Sequence, residues 1–132
     1  MADARKEGPA ALDRLEASCR RAGLPGPLVL ELRLVAEEVV TNVAKYGYAP
    51  GTAAAMELLV STGDDAVSLE FRDEGRPFDP LAQPPPALEA PLEERTVGGL
   101  GLTLVRAMVE DARYVREGGT NVLRLAKKRT QQ

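Results

Sequence analysis

A glutamate and an asparagine one helical turn apart are the first residues in this sequence whose types and spacing could do chemistry. Glu38 and Asn42 stand four residues apart, so on a helix both project from the same side, and Lys45 extends that line by another turn. A carboxamide oxygen is a hard ligand that suits Mg²⁺, which usually also binds substrate phosphates. A carboxylate one turn away could accept a proton from a hydroxyl or water attacking a terminal phosphate. Taken alone, the pattern fits a solvated helix face better, because Glu and Asn at this spacing are common.

A second short segment, Asp73-Glu74-Gly75, stands at the end of a predicted strand. An ionised carboxylate only accepts hydrogen bonds, so Asp73 could bind an exocyclic amine such as that of adenine. Gly75 would let backbone and ligand approach closely. The alternative is an ordinary turn, for which Asp-x-Gly is good chemistry.

The third segment is a glycine cluster, Gly98-Gly99-Leu100-Gly101-Leu102, which opens a predicted helix. Glycines there allow backbone N–H groups to point at an anion, and the positive end of the helix adds to the attraction. The alternative is a flexible hinge ahead of the helix. The GxxxxGK[ST] loop is absent, and a proline-rich stretch stands where a dinucleotide fingerprint needs a strand. The sequence therefore predicts a phosphate site of another type.

Composition narrows the chemistry further. The 132 residues contain no histidine, which excludes the usual Ser/His/Asp and Cys/His arrangements and a phosphorylated histidine within this chain. Cys19 is the single cysteine, so no internal disulfide forms, and its position on an apolar stripe predicts burial. A net charge of −3 gives no basic excess, which predicts no direct contact with nucleic acid or a membrane surface. No apolar run approaches a membrane span or a signal peptide, which predicts a cytoplasmic protein.

Apolar residues at helical spacing predict three helices. The first spans residues 10–22 and the second residues 27–46, and glycine and proline end both. The third follows the glycine cluster, with a buried stripe of Leu102, Val105, Met108, Val109 and Ala112.

Alternating apolar and polar residues predict two hairpins, one from residues 56–60 and 67–71 and another from residues 113–117 and 121–127 around Gly118-Gly119. Such alternation is typical of an antiparallel sheet with one covered and one wet face. The predicted fold is α+β, a two-layer α/β sandwich with a mostly antiparallel sheet and helices on one face.

A proline-rich segment interrupts this pattern. Six of the ten prolines lie between Pro77 and Pro91, so the segment cannot join a helix or a central strand. Because a helix and two strands are predicted after it, we expect a functional loop inside a single domain of residues 1–132.

In order and context, these segments resemble the N, G1 and G2 boxes of the GHKL ATPase superfamily, and within it the bacterial anti-sigma factor serine/threonine kinases. The stretches that carry the resemblance are LRLVAEEVVTNVAKYGY, FRDEGRPFDP, GGLGLTLVRAMVED and GGTNVLRLAKK. The similarity covers nearly all of residues 10–128. It implies the Bergerat-type ATP-binding fold, with residues 79–97 as the ATP lid.

The resemblance also implies roles for single residues. Asn42 would coordinate the Mg²⁺ that bridges the phosphates, Glu38 would be the catalytic carboxylate, and Asp73 would bind the adenine amino group. The remaining nucleotide-binding positions that it implies are Lys45, Gly75, Arg95, Gly98, Gly99, Leu100, Gly101, Leu102 and Thr120.

The sequence departs from the family pattern at two places. Family members usually begin with a strand that helps to form the sheet and the dimer, whereas Met1 to Pro9 are too polar and short to predict one, which leaves a homodimer open. Tyr46 replaces a histidine that is common near the end of the N box, so any protonic role of that position is lost.

The implied function is that of a Mg-ATP-dependent serine/threonine protein kinase. It would phosphorylate a small antagonist of the anti-anti-sigma type and sequester a sigma factor by direct binding. Two alternatives stay open: a nucleotide-dependent binding module of the same fold without kinase turnover, and a detached catalytic domain of a histidine kinase.

Overall fold

The computed structural model describes residues 1–77 and 105–129. Within them, none of the helices is long and apolar enough to cross a membrane. A short helical turn, residues 105–108, precedes the last hairpin. The other elements are β1 (Ala2–Asp3), α1 (Ala4–Arg21), α2 (Gly26–Asn42), a π-helical turn (Val43–Gly47), β2 (Ala55–Thr62), β3 (Ala66–Asp73), β4 (Asp111–Glu117) and β5 (Thr120–Lys128).

The strands form one antiparallel sheet in the order β1-β2-β3-β5-β4. Alternate residues of β3 and β5 are buried on the side that carries the helices, while Ser68 and Arg124 lie exposed on the other side. The predicted α+β sandwich is therefore confirmed, and both predicted hairpins are present. The core side chains that these two strands contribute are Val67, Leu69, Phe71, Leu123 and Leu125.

Helix α1 begins earlier than the sequence predicts. The sequence predicts a start at residue 10, but the helix runs from Ala4 through Gly8 and Pro9. A Cβ on Gly8 would lie 3.2 Å from a methyl group of Val40, so the absence of a side chain allows α1 to pack closely on α2. The predicted burial of Cys19 is confirmed, and burial raises the pKa of its thiol.

The N-terminal residues do form a strand, which corrects the prediction that they do not. Strand β1 has two residues, Ala2 and Asp3, which pair with Met56 and Ala55 of β2. Asp3 Oδ1 accepts hydrogen bonds from the backbone N–H groups of Arg5 and Ala54, both at 3.0 Å. This polar segment was misjudged because its order comes from capping rather than from apolar residues.

The third helix ends before the sequence predicts. It covers residues 105–108 of the described chain, and the Glu110 N–H already donates to the Ala126 carbonyl at 3.0 Å. Ala112, which was assigned to the buried stripe of this helix, lies in β4 opposite Leu125. It still packs against the core, because strand alternation turns it toward the helices. The predicted start of this helix and the predicted ATP lid lie outside the described residues.

Candidate functional site

A buried carboxylate marks the end of the central strand β3. Asp73 is 7% exposed, and the sheet register places it directly opposite Asn121, the second residue of β5. Asp73 Oδ1 accepts a hydrogen bond from the Gly75 N–H at 2.9 Å and one from Asn121 Nδ2 at 3.0 Å. Both bonds end on Oδ1, so Oδ2 takes part in neither and keeps its capacity to accept.

The turn after Asp73 lies against the end of the π-helical turn. A Cβ on Gly75 would stand 2.4 Å from the Gly47 carbonyl oxygen, a distance that no side chain tolerates. The Arg76 N–H donates to that same oxygen at 3.0 Å. The structure shows that Gly75 lets two backbone segments meet. Its expected role in letting a ligand approach stays a prediction.

Tyr48 secures this junction from the other side. Its hydroxyl accepts a hydrogen bond from the Glu74 N–H at 2.8 Å and donates to the Ala55 carbonyl. Burial raises the pKa of the Tyr48 phenol, so the hydroxyl keeps its proton and stays a donor at neutral pH. The strand end and the helix end are thus held at a fixed separation.

An arginine from α1 holds the carbonyl groups at the end of the π-helical turn. Arg5 donates from Nε and Nη2 to the Ala44 carbonyl at 3.1 and 3.0 Å, and from Nη1 to the Thr52 carbonyl at 2.6 Å. The last carbonyl groups of a helix have no partner within it, and this guanidinium supplies one. Sequence reasoning missed Arg5, since nothing in its surroundings signals a partner 39 residues away.

Asn42 is buried at the last position of α2. It is 6% exposed, and its Nδ2 donates to the Glu38 carbonyl at 2.6 Å. This back-bond uses the amide nitrogen, so Oδ1 is the atom of Asn42 left to bind a cation. Glu38 is partly buried one turn earlier, while Glu37 beside it is exposed.

Lys45 lies in the π-helical turn that continues α2. It is exposed, and the turn that carries it is π-helical, whereas the sequence suggested a continuous α-helix. Turns of this kind often occur at functional sites. The structure therefore places Glu38, Asn42 and Lys45 on one continuous segment that ends at Gly47, beside Asp73 and Gly75.

Sequence reasoning named Thr120 and overlooked its neighbour Asn121. Thr120 is partly buried opposite Glu117, whereas Asn121 is 5% exposed and bonded to Asp73. A signal for its burial, though not for its partner, was available, because Asn121 shares its strand parity with Leu123 and Leu125 of the core face. Contact of Thr120 with adenine stays a prediction. The predicted phosphate-binding positions Arg95, Gly98, Gly99, Leu100, Gly101 and Leu102 lie outside the described residues.

Comparison with known proteins identifies relatives of this chain. The model of the histidine kinase-like ATPase domain matches residues 2–127. The serine/threonine-protein kinase BtrW of Bordetella bronchiseptica is 34% identical over 94 residues, and the serine-protein kinase RsbW of Oceanobacillus iheyensis is 23% identical over 113 residues. These alignments cover 71% and 83% of this chain, and 66% and 72% of the respective relatives.

Solved structures show the same fold. The blue-light activated histidine kinase of Erythrobacter litoralis EL346 superposes with a TM-score of 0.60 at 15% identity, over 93% of this chain and 42% of its own. This likeness shows the fold, and the family match over nearly the whole sequence shows the family. The chain belongs to the GHKL superfamily, as a histidine kinase-like ATPase domain.

Proposed function

We propose that this protein is a Mg-ATP-dependent serine/threonine protein kinase that acts as an anti-sigma factor. Its substrate is a serine or threonine of an anti-anti-sigma antagonist, and its second partner is a sigma factor that it sequesters. Two relatives named as serine/threonine and serine kinases support this proposal. The observation that carries it is the Asp73 carboxylate, buried at a strand end with one oxygen fixed by two N–H donors.

The adenine end of the proposed site is the cluster of Gly47, Asp73, Gly75 and Asn121. Because two donors already bind Oδ1, Oδ2 of Asp73 is the oxygen proposed to accept the adenine amino group. A charge-assisted hydrogen bond of this kind is about twice as strong as a neutral one, and an amine is the group that an ionised carboxylate recognises. Thr120, at the start of β5, completes the adenine end in this proposal.

The phosphate end of the proposed site begins on α2. Asn42 Oδ1 is the proposed ligand of Mg²⁺, and the fit rests on the back-bond that turns the amide nitrogen toward the Glu38 carbonyl. The metal supplies charge neutralisation at the phosphates, on which phosphoryl transfer chiefly depends. Lys45 is exposed one turn further on and is proposed to bind phosphate oxygens, together with Arg95 and the glycine cluster of residues 98–102.

Glu38 is the proposed proton acceptor. Its carboxylate is partly buried one turn before Asn42, so it would stand beside a phosphate held at Asn42. In this role it takes the proton from the serine or threonine hydroxyl as the oxygen attacks the γ-phosphorus of ATP, while the bond to the β–γ bridging oxygen breaks and ADP leaves. A general base contributes about 10²–10⁴-fold to the rate.

The test compares two neighbouring glutamates. Glu38→Gln keeps the size of the side chain and removes its basicity, while Glu37→Gln makes the same change about 100° around the helix on an exposed residue. Each variant is incubated with radiolabelled ATP, Mg²⁺ and the candidate antagonists encoded by the same genome. We expect Glu38→Gln to bind ATP normally and to phosphorylate the antagonist about 10²–10⁴-fold more slowly, with Glu37→Gln unaffected.

The outcomes separate the rival functions. A wild-type protein that binds ATP and phosphorylates no antagonist would favour a nucleotide-dependent binding module. Equal rates for the wild type and Glu38→Gln would keep the kinase and discard Glu38 as its base. Transfer to a histidine of another protein would favour the histidine kinase alternative.

A further inference from the structure

The buried amide of Asn121 lies at the centre of a hydrogen-bond cluster that joins three strands. Its Nδ2 donates to Asp73 Oδ1 at 3.0 Å and to the Arg76 carbonyl at 2.8 Å. Its Oδ1 accepts from the Tyr114 hydroxyl and, at 3.0 Å, from Arg116 Nη1. Asn121 is 5% exposed and sits on β5 between Asp73 of β3 and the donors of β4.

Chemistry fixes which way this amide points. A guanidinium has N–H donors and no acceptor, so the group that faces Arg116 must be the amide oxygen. The Arg76 carbonyl only accepts, so the group that faces it must be the amide nitrogen. Exchanging the two ends of the amide would leave a donor against a donor and an acceptor against an acceptor, both in a buried place.

The orientation of Asn121 in turn fixes Asp73. The carboxylate receives one donor from Asn121 and one from the Gly75 backbone, both on Oδ1. Two bonds to one oxygen define the rotation of the side chain, and thereby the direction of Oδ2. Arg116 also donates to the Gly75 carbonyl at 2.9 Å, which ties the turn that carries the second donor to the same cluster.

From this geometry we propose that Asn121, held by Tyr114 and Arg116, is a positioning residue for purine selectivity. The proposal rests on the function proposed above, in which Asp73 accepts the adenine amino group. Asn121 aims Oδ2 at that amine before the nucleotide arrives. Binding then pays no cost for ordering the carboxylate, and a base without the amine loses the benefit. Without Asn121 the carboxylate turns among several rotamers and distinguishes the two bases poorly.

The test measures base discrimination rather than affinity alone. Calorimetry compares ATP with purine riboside triphosphate, which has the same phosphates and ring but no amino group. We expect the wild type to bind ATP at least about tenfold more tightly, as for one hydrogen bond to a charged group. In Asn121→Ala the ratio of the ATP affinity to the purine riboside triphosphate affinity should fall to between about one third and three. We expect the same range in Asp73→Asn.

Two further variants separate positioning from loss of structure. Tyr114→Phe deletes one of the two donors that hold the amide oxygen and keeps Arg116, so it should fold and lower the ratio by a smaller factor. Lys127→Met removes another buried polar group from the same strand, 6 positions further along, and should lower the melting temperature without changing the ratio. If Asn121→Ala fails to fold, the ratio of the two affinities in Tyr114→Phe is the test of the proposal.

Three results would overturn the inference. If folded Asn121→Ala keeps the wild-type ratio of the two affinities, Asn121 does not position Asp73, although nucleotide binding stands. If Asn121→Ala does not fold, a wild-type ratio in Tyr114→Phe has the same meaning. A wild-type protein that binds both triphosphates equally places Asp73 away from the amine, and one that binds neither removes the proposed function as well.

Discussion

Strand β5 carries two buried polar residues on its core face, and they serve opposite ends of the sheet. Asn121, at 5% exposure, bonds a carboxylate and two turn carbonyls at the end of the sheet proposed to bind the nucleotide. Lys127, at 7% exposure, donates to the Met108 carbonyl and pairs with Glu31 Oε2 at 3.1 Å. We call these the Asn121 end and the Lys127 end.

The two ends differ in the role of the groups that the buried residues contact. Lys127 neutralises Glu31 and ties the short helix that ends at Met108 to α2, so its contacts join elements of the fold. Asn121 bonds Oδ1 of Asp73 and leaves Oδ2 of that carboxylate outside the bonds described. A buried polar group therefore indicates a binding site when it orients an acceptor atom that can take a further hydrogen bond. It indicates only a contribution to stability when it completes an ion pair.

The largest effect should come from crowding the Asn121 end. In Gly75→Ala the new Cβ would lie 2.4 Å from the Gly47 carbonyl oxygen and 3.0 Å from Asp73 Oδ1, so the turn must move. We expect a loss of about 1–3 kcal/mol in unfolding free energy and at least a tenfold loss of ATP affinity. Urea unfolding and calorimetry measure the two.

Gly26→Ala is the matched control for that variant, because a Cβ there meets nothing within 4 Å. It should leave ATP affinity unchanged and preserve or slightly raise stability, by up to about 1 kcal/mol. Normal affinity in Gly75→Ala would show that the turn is not part of a nucleotide site.

A second effect, on stability alone, should follow from breaking the Lys127 end. Lys127→Met keeps the length of the side chain but removes the ammonium group that donates to the Met108 carbonyl and pairs with Glu31. Glu31 is 33% exposed at its side chain, so water compensates in part, and we expect a loss of about 1–3 kcal/mol without a change in ATP affinity. Lys128→Met, at the exposed neighbour, should change stability by less than about 0.5 kcal/mol. A drop in nucleotide affinity in Lys127→Met would erase the difference between the two ends.

Periodic segments could be predicted from the sequence, and they account for the fold. Helix α2 and the strands β3 and β5 follow their apolar patterns, because a face that must be buried imposes its own spacing. The boundaries that failed were decided by single contacts. Pro9 lies inside α1, and the helix before β4 ends at Met108 because Glu110 already pairs with Ala126.

The residues of the candidate site also divide into those that the sequence predicted and those that it missed. Asp73 and Asn42 were predicted, because their residue types stand next to clear elements, and the structure shows both to be buried. Asn121 and Arg5 were missed, since their partners lie 48 and 39 residues away in the sequence. Such partners become neighbours only through sheet register and helix packing, which no local pattern encodes.

The smallest effect should come from a charge cluster on the open face of the sheet, between the two ends. Glu70 accepts from Arg124 Nε and Arg72 Nε, both at 2.6 Å, and the hydrogen bond from Arg124 followed by that from Arg72 lowers the pKa of Glu70. A carboxyl whose pKa is lower in the folded state stabilises the fold above its unfolded pKa, about 4.3 for Glu. That stabilisation is lost as the pH falls from there through the lower folded value. Glu70 is 20% exposed and both arginines are more exposed, so solvent screening limits the stabilisation to about 0.2–1 kcal/mol.

Urea unfolding of Glu70→Gln should therefore show a deficit in unfolding free energy at pH 7 that disappears below pH ~4 and shrinks in 1 M salt. Asp64→Asn in the exposed β2–β3 turn should show no such deficit. A Glu70→Gln deficit as large as that of Lys127→Met, or one that persists in acid, would show that the open face stabilises the sheet as much as its buried ends do.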